Sequence, residues 1–201
     1  MSKADLTRQH IIAQAAPLFN RQGYAGASMA DIMAATGLKK GGIYNHFASK
    51  DDLAIAAFDY SVQKAGQLHL RAIRRARHSP AQLQAMVHSF VAHFDEICAW
   101  GGCPLMNTLL DSDDGHPQLQ ARVRMAMDQW RCLIKKIVQR GIDRGELAPP
   151  TNPDAVATIV IAVLEGALAL ARLYSDRVHL DDAKAHLDAY IHSLTAADDT
   201  S

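Results

Sequence analysis

The chain has 201 residues, 49% of them apolar, 21% charged and 6% aromatic, a composition that excludes disordered, collagen-like and disulfide-framework proteins and suggests one or two domains. Its 21 basic and 21 acidic side chains cancel, but unevenly. Residues 1–50 carry six basic side chains (Lys3, Arg8, Arg21, Lys39, Lys40, Lys50) and two acidic ones (Asp5, Asp31), a net +4 against −4 for the remainder, which favours a basic module that meets a polyanion attached to a body with another task.

No internal repeat and no alternating strand pattern interrupts a helical spacing that runs almost throughout, so the expected fold is all-α with about nine helices. Ile12, Ala15, Ala16 and Phe19 form the apolar stripe of a first helix, expected to kink at Pro17 and to close at Gly23, with Tyr24 following. Ser28 with Asp31 makes a capping box that opens a short second helix; this helix buries Met29, Ile32 and Met33 and stops at Thr36 and Gly37. A third helix starts near Lys39, turns Ile43 and Phe47 to the core, and shows Lys39, Lys40, Gly42, Asn45 and His46 on its other side. Ser49 with Asp52 repeats the capping pattern and launches a long fourth helix that ends near residues 78–80, after Arg71, Arg74, Arg75 and Arg77. Further helices are expected over 81–100, 104–110, 117–141, 153–175 and 181–196, with breaks at 101–102, 111–115, 145–153 and 175–181.

A short helix, a glycine-containing turn and a second short helix with a polar face, braced by a preceding helix, is the helix-turn-helix arrangement, whose last helix enters the major groove. The stretch RQHIIAQAAPLFNRQGYAGASMADIMAATGLKKGGIYNHFASKDDL, residues 8–53, resembles the DNA-binding domain of the TetR family of transcriptional regulators. The resemblance is carried by Ile12, Ala16, Phe19, Gly23, Tyr24, Ser28, Ile32, Ala35, Gly37, Leu38, Gly41, Ile43, Tyr44, His46, Phe47, Ser49, Lys50 and Leu53. It implies a DNA-binding domain over 1–48 and a helical ligand-binding and dimerisation domain over 49–201.

Chemistry distributes the DNA-facing roles. Lys40, Tyr44, His46 and Lys50, with Ser28 at the start of the second helix, offer donors to phosphates, contacts that fix register but carry little sequence information. Asn45 can pair bidentately with adenine and Lys39 can reach guanine. Gly41 and Gly42 each cost about 1 kcal/mol inside a helix relative to alanine, a cost that fits a backbone approached closely by a phosphate. Plainer uses stay open: Tyr44 as packing, His46 as a cap, Lys39 as a solvated charge. Among family members Gly42 replaces the more usual Ser, Thr or Ala.

In the body, NPDAVATIVIAVLEGALALARLY from residue 152 to 174 is apolar nearly all round, and its small-residue stripe Ala162, Gly166 and Ala169 lets a partner helix come close. With Leu173, Leu187 and Tyr190 these form the expected contacts of a homodimer, in which two helices from each subunit make a four-helix interface. Met86, Phe90, Phe94, Trp100, Cys103, Met106, Met125 and Trp130 are suited to an apolar ligand cavity, with Met127 alongside, although such residues are more often plain core. Glu165, a carboxylate inside an apolar helix, is expected to be paired, as with Arg172 in the dimer, to be protonated, or to face a cavity where it recognises a cationic ligand. GGCPLMNTLLD, residues 101–111, looks like a Gly-Cys-Pro/Leu-Leu-x-Asn element of one branch of the family.

Other classes find little support. The chain lacks GxSxG, HExxH, GxGxxG and P-loop motifs, so it reads as no enzyme and needs no cofactor. The ten histidines show no metal spacing, and residues 111–115 fit a solvated loop better than a calcium site, since Arg122 stands where a bidentate glutamate belongs. A polar N-terminus, no uncharged stretch of about 18 residues and three cysteines that cannot all pair fit a cytoplasmic protein with reduced thiols and no membrane association. The expected function is a ligand-responsive repressor, released from a palindromic double-stranded operator by a small-molecule effector. A sequence-indifferent chromosome-associated protein and a helical enzyme are the rivals.

Overall fold

Local signals set the start of the chain. In the computed structural model, which describes residues 2–112 and 116–196, Ser2 and Asp5 form a capping box that opens α1 (Lys3–Gly26). Its Ile11, Ile12, Ala15 and Ala16 are buried and Phe19 is half-buried. The backbone stays helical through Pro17 and leaves the helix at Gly23, whose φ of 74° and ψ of 171° open the left-handed side of conformational space. The expected kink at the proline is therefore a break six residues later, at a residue free of the Cβ penalty.

Ser28 and Asp31 cap α2 (Met29–Thr36), and Gly37, left-handed at φ 70°, ends it. Lys39, extended and with no side-chain cap, leads into the five-residue α3 (Lys40–Tyr44). The Ser49 hydroxyl accepts from the Asp52 amide at 3.0 Å to start α4 (Lys50–Arg75). These short elements could not hold alone; they are held by one core. Ile11, Ile12, Ile32, Ile43, Phe47 and Leu53 are buried together, with Leu18, Phe19, Met29, Met33, Leu38 and Tyr60 packed around them. At about 1.5–3 kcal/mol for each large side chain fully buried, this cluster outweighs the caps, each contributing about 1 kcal/mol.

The helix expected over 81–100 divides at His93 into α5 (Ser79–Ala92) and α6 (Phe94–Ala99), so ten helices are present among the described residues. Next come α7 (Pro104–Ser112), α8 (Pro117–Asp143), α9 (Pro153–Tyr174), started by the Asn152 side chain, and α10 (Val178–Ser193). Cys98, Cys103 and Cys132 form no disulfide with one another.

Two compact units result. The first comprises Met1–Ala65 and Ala99–Ala126, the second Gly66–Cys98 and Met127–Ser201. In the first, α1 packs against α2 and α7. In the second, α10 packs against α9 and α5 over a core that includes Leu83, Met86, Ile134, Ile137, Leu164, Leu180, Leu187 and Ile191. There the first turn of α5 is closed by Glu146, whose carboxylate accepts from the Ser79 amide at 2.6 Å and meets His78 at 3.0 Å.

Candidate nucleic-acid interface

The third helix is shorter than expected and ends at Tyr44, and Ile43 within it and Phe47 three residues beyond its end are both drawn into the core. What remains outward is Lys39, Lys40, Gly41, Tyr44 and Asn45, all exposed, with Gly42 and His46 half-buried. Tyr44 is 38% exposed, and the Lys40 Nζ lies 5.8 Å from its ring centroid. The Arg8 guanidinium covers the Phe47 ring at 4.9 Å, a contact that the helical spacing of α3 could not reveal. His10 of α1 reaches the Thr36 carbonyl at 3.1 Å, and the Thr36 hydroxyl donates to Ile32 O at 2.8 Å, which together fix the turn between α2 and α3.

Two expected phosphate donors are engaged within the chain. The Ser28 hydroxyl donates to the Asp31 carboxylate at 2.5 Å while accepting from the Asp31 amide at 3.1 Å. These Ser28 hydrogen bonds, the side chain's before the backbone's, hold the Asp31 carboxyl below its ordinary range. The Lys50 ammonium donates to the Tyr24 carbonyl at 2.5 Å and sits 4.4 Å from the Tyr24 ring centroid. The Tyr24 hydroxyl in turn donates to Asp51, and that bond, aided by burial, pushes its pKa up to about 12. His116 stands edge-on to the Tyr24 ring at 4.7 Å and 3.4 Å from Asp51. Lys50 is thus part of the turn after Gly23, a link between residues 26 positions apart that no local pattern shows.

The residues expected to line a ligand cavity belong in part to each unit. In the second unit Phe90 and Trp130 stack at 6.3 Å, and the Trp130 indole N–H donates to Met86 Sδ at 3.4 Å. His69 stacks on Phe90 at 5.8 Å and pairs with the Ser89 hydroxyl at 3.1 Å; burial, then the neighbouring His93, lowers its pKa to about 4. Sequence reasoning missed His69 because its partners lie on another helix. Phe94 is half-buried, and Glu165 is buried in α9 whereas Arg172 is exposed. Trp100, Cys103, Met106 and Met125 belong to the first unit. There Trp100 stacks with Tyr60 at 6.4 Å beneath the Lys64 ammonium, 3.7 Å from its ring centroid, Cys103 is buried, and Met125 is 52% exposed. Among the described residues no group of three or more His, Cys, Asp or Glu side chains could hold a metal ion. Of the loop 111–115, residues 113–115 lie outside those described; Asp111 accepts from the Tyr24 amide at 2.5 Å.

On α9, Ala162, Gly166, Ala169 and Leu173 all face outward, continued by Leu170 and Tyr174 and, on α10, by Val178. This helix is long and apolar enough to cross a membrane by length and composition, and half of its most apolar window is buried within the protein. Leu187, expected at a subunit contact, is corrected: it is fully buried in the core of its own unit, where α10 packs on α9 and α5, and has no surface to offer. Tyr190 is half-buried.

Residues 11–57 match the family described as bacterial regulatory proteins, tetR family, and residues 79–187 match the tetracyclin repressor-like C-terminal domain. A TetR transcriptional regulator from Chloroflexus aurantiacus J-10-FL superposes with a TM-score of 0.93 at 43% identity, covering 98% of this chain and 100% of that one. A TetR-family regulator from Cytophaga hutchinsonii gives 0.91 at 32% identity, covering 98% of each. By sequence, the HTH-type transcriptional repressor DhaR of Mycobacterium sp. strain GP1 is 24% identical over 174 residues, 87% of this chain and 86% of that protein. These kin are regulators rather than enzymes, and the chain belongs to the TetR family of bacterial regulatory proteins.

Proposed function

We propose that this regulator is a ligand-responsive repressor that binds a palindromic operator as a homodimer and is released by a small-molecule effector. The observation that carries the reading is the exposed face of Lys39, Lys40, Gly41, Tyr44 and Asn45 on a helix whose other face is locked into the core. Lys40, Tyr44 and His46 meet phosphates, Asn45 reads a base and Lys39 a second one. Ser28 and Lys50 join them by giving up Asp31 and the Tyr24 carbonyl. The branch with the Gly-Cys-Pro/Leu-Leu-x-Asn element is the one that residues 101–111 fit, and a relative named as a repressor supports the direction of control.

In this reading DNA recognition resides in residues 1–48, while 49–201 hold the ligand response and dimerisation. The exposed stripe of Ala162, Gly166, Ala169 and Leu173 pairs with its copy, because a groove reader needs two recognition helices about one DNA turn apart. The effector is a small molecule received by the helical body, in which Met86, Phe90 and Trp130 pack together. It acts only by preferring the DNA-incompetent state, and a full switch requires about 5.5 kcal/mol of preference. Operation is in the cytoplasm, where the operator is.

Titration of single variants against a selected operator and random duplex tests the assignment. Lys40→Ala and Tyr44→Ala weaken both alike; Asn45→Ala alters preference at particular bases and leaves random duplex nearly unaffected. Unchanged affinity of all three variants for both duplexes refutes it.

A further inference from the structure

The segment 99–111 is fastened to the end of α1 by a run of hydrogen bonds that the DNA-reading face does not require. The Arg21 guanidinium donates to Ala99 O at 2.9 Å. The Asn20 amide donates to Trp100 O at 2.7 Å and Gly102 O at 3.0 Å. The Asn107 amide reaches back to Asn20 O at 3.0 Å, Asn20 Oδ1 at 3.2 Å and Gly101 O at 2.8 Å. At the far end of α7, Asp111 accepts from the Tyr24 amide, and its carboxylate fills the space where a Cβ on Gly23 would lie, 2.5 Å from Oδ1. Gly101, at φ 98°, leaves no room for a side chain: a Cβ would stand 2.6 Å from Arg21 Cγ and 3.2 Å from its Cα.

We infer that Asn107 is a positioning residue for DNA binding, coupling α7 to the reader through Asn20; the inference rests on the DNA-binding reading above. The physical basis is that Asn20 is buried, 8% exposed, so its amide cannot turn to water when its partners leave. A buried network of this kind is made or broken as a unit, and does not stretch by degrees. Ile11, Ile12, Ala15 and Ala16 of the same helix are packed with Ile32, Ile43 and Phe47, so a displacement at the end of α1 is passed to α2 and α3. The turn at Tyr24 adds the start of α4, through Asp51, to the same fastening. Movement of 99–111 and binding of DNA therefore bias one another reciprocally.

Hydrogen exchange on the full chain, with and without a duplex that the wild-type protein selects from random DNA, tests this. The duplex slows exchange several-fold over 28–47, where it touches the protein, and also over 99–112, where coupling alone acts. In Asn107→Ala the first response persists and the second is lost. Protection of 28–47 with no change at 99–112 in the wild type, or an Asn107→Ala protein that keeps both responses, overturns the inference and leaves DNA reading intact. No response at either segment overturns both. If Asn107→Ala does not fold, Arg21→Ala serves in its place, since that side chain is exposed; it weakens the 99–112 response, and an undiminished response contradicts the coupling.

Discussion

Gly41 and Gly42 separate folding from DNA binding, because the protein has room for a side chain at both. A Cβ on Gly41 meets nothing within 4 Å, and one on Gly42 meets only Leu38, at 3.7 Å and 3.9 Å, ordinary contact distances. Neither residue has a positive φ. Alanine therefore fits without strain, and it removes the backbone freedom that makes helical glycine unfavourable by about 0.5–1 kcal/mol. The double variant Gly41→Ala/Gly42→Ala should be about 1–2 kcal/mol more stable, which for a chain of this length raises the melting temperature by roughly 2–8 °C. Gly41 is exposed on the face proposed to meet DNA, so the methyl group added there holds a phosphate away. Losing about 1.4 kcal/mol of contact weakens binding about tenfold. Thermal melting and fluorescence anisotropy with one selected duplex at fixed salt read the two effects separately. A lower melting temperature would show that folding itself needs these glycines; unchanged affinity would show that the backbone does not come close to DNA. Either result refutes the reasoning.

Three further expectations concern the rest of the chain. The Tyr24 hydroxyl, held by Asp51 with a pKa of about 12, keeps its proton longer in the folded state than in the unfolded one. Its contribution to stability is present below the ordinary tyrosine value of 10.0 and is lost between there and about 12; Asp51→Asn brings a tyrosinate absorbance step to lower pH, and an unmoved titration contradicts the assignment. His69, lowered to about 4, stays neutral where the unfolded chain takes up a proton, so its contribution is full above 6.5 and declines as pH falls toward about 4. Urea midpoints should fall less between neutral and mildly acid pH in His69→Phe than in the wild type; equal losses would exclude His69 as the cause. Leu173 is 73% exposed in the apolar stripe of α9, so Leu173→Glu should convert a sedimenting dimer to a monomer with little change in melting, and a surviving dimer would remove α9 from the interface.

What was legible in the sequence was local. The Ser28–Asp31 capping box and the left-handed Gly37 involve residues a few positions apart, so their chemistry is written in the spacing, and Ile43 with Phe47 announce a buried face by the same logic. The Asn20–Asn107 fastening joins residues 87 apart, and Lys50 finds Tyr24 across 26. Neither asparagine carries a pattern until the fold brings them together. Leu187 was misplaced for a different reason: α10 bears Ala183, Ala185 and Ala189 on several sides, so its apolar residues do not say which face turns inward, and packing against α5 decided it. The division at His93 was hidden because helical spacing continues across it.

The most direct test is selection of duplexes from random DNA by the purified protein, followed by sedimentation of the complex at several salt concentrations. Enriched inverted repeats, two chains per duplex and an affinity that falls steeply as salt rises are the predicted results. Sequences without two-fold symmetry, or a single chain bound per site, would contradict the account.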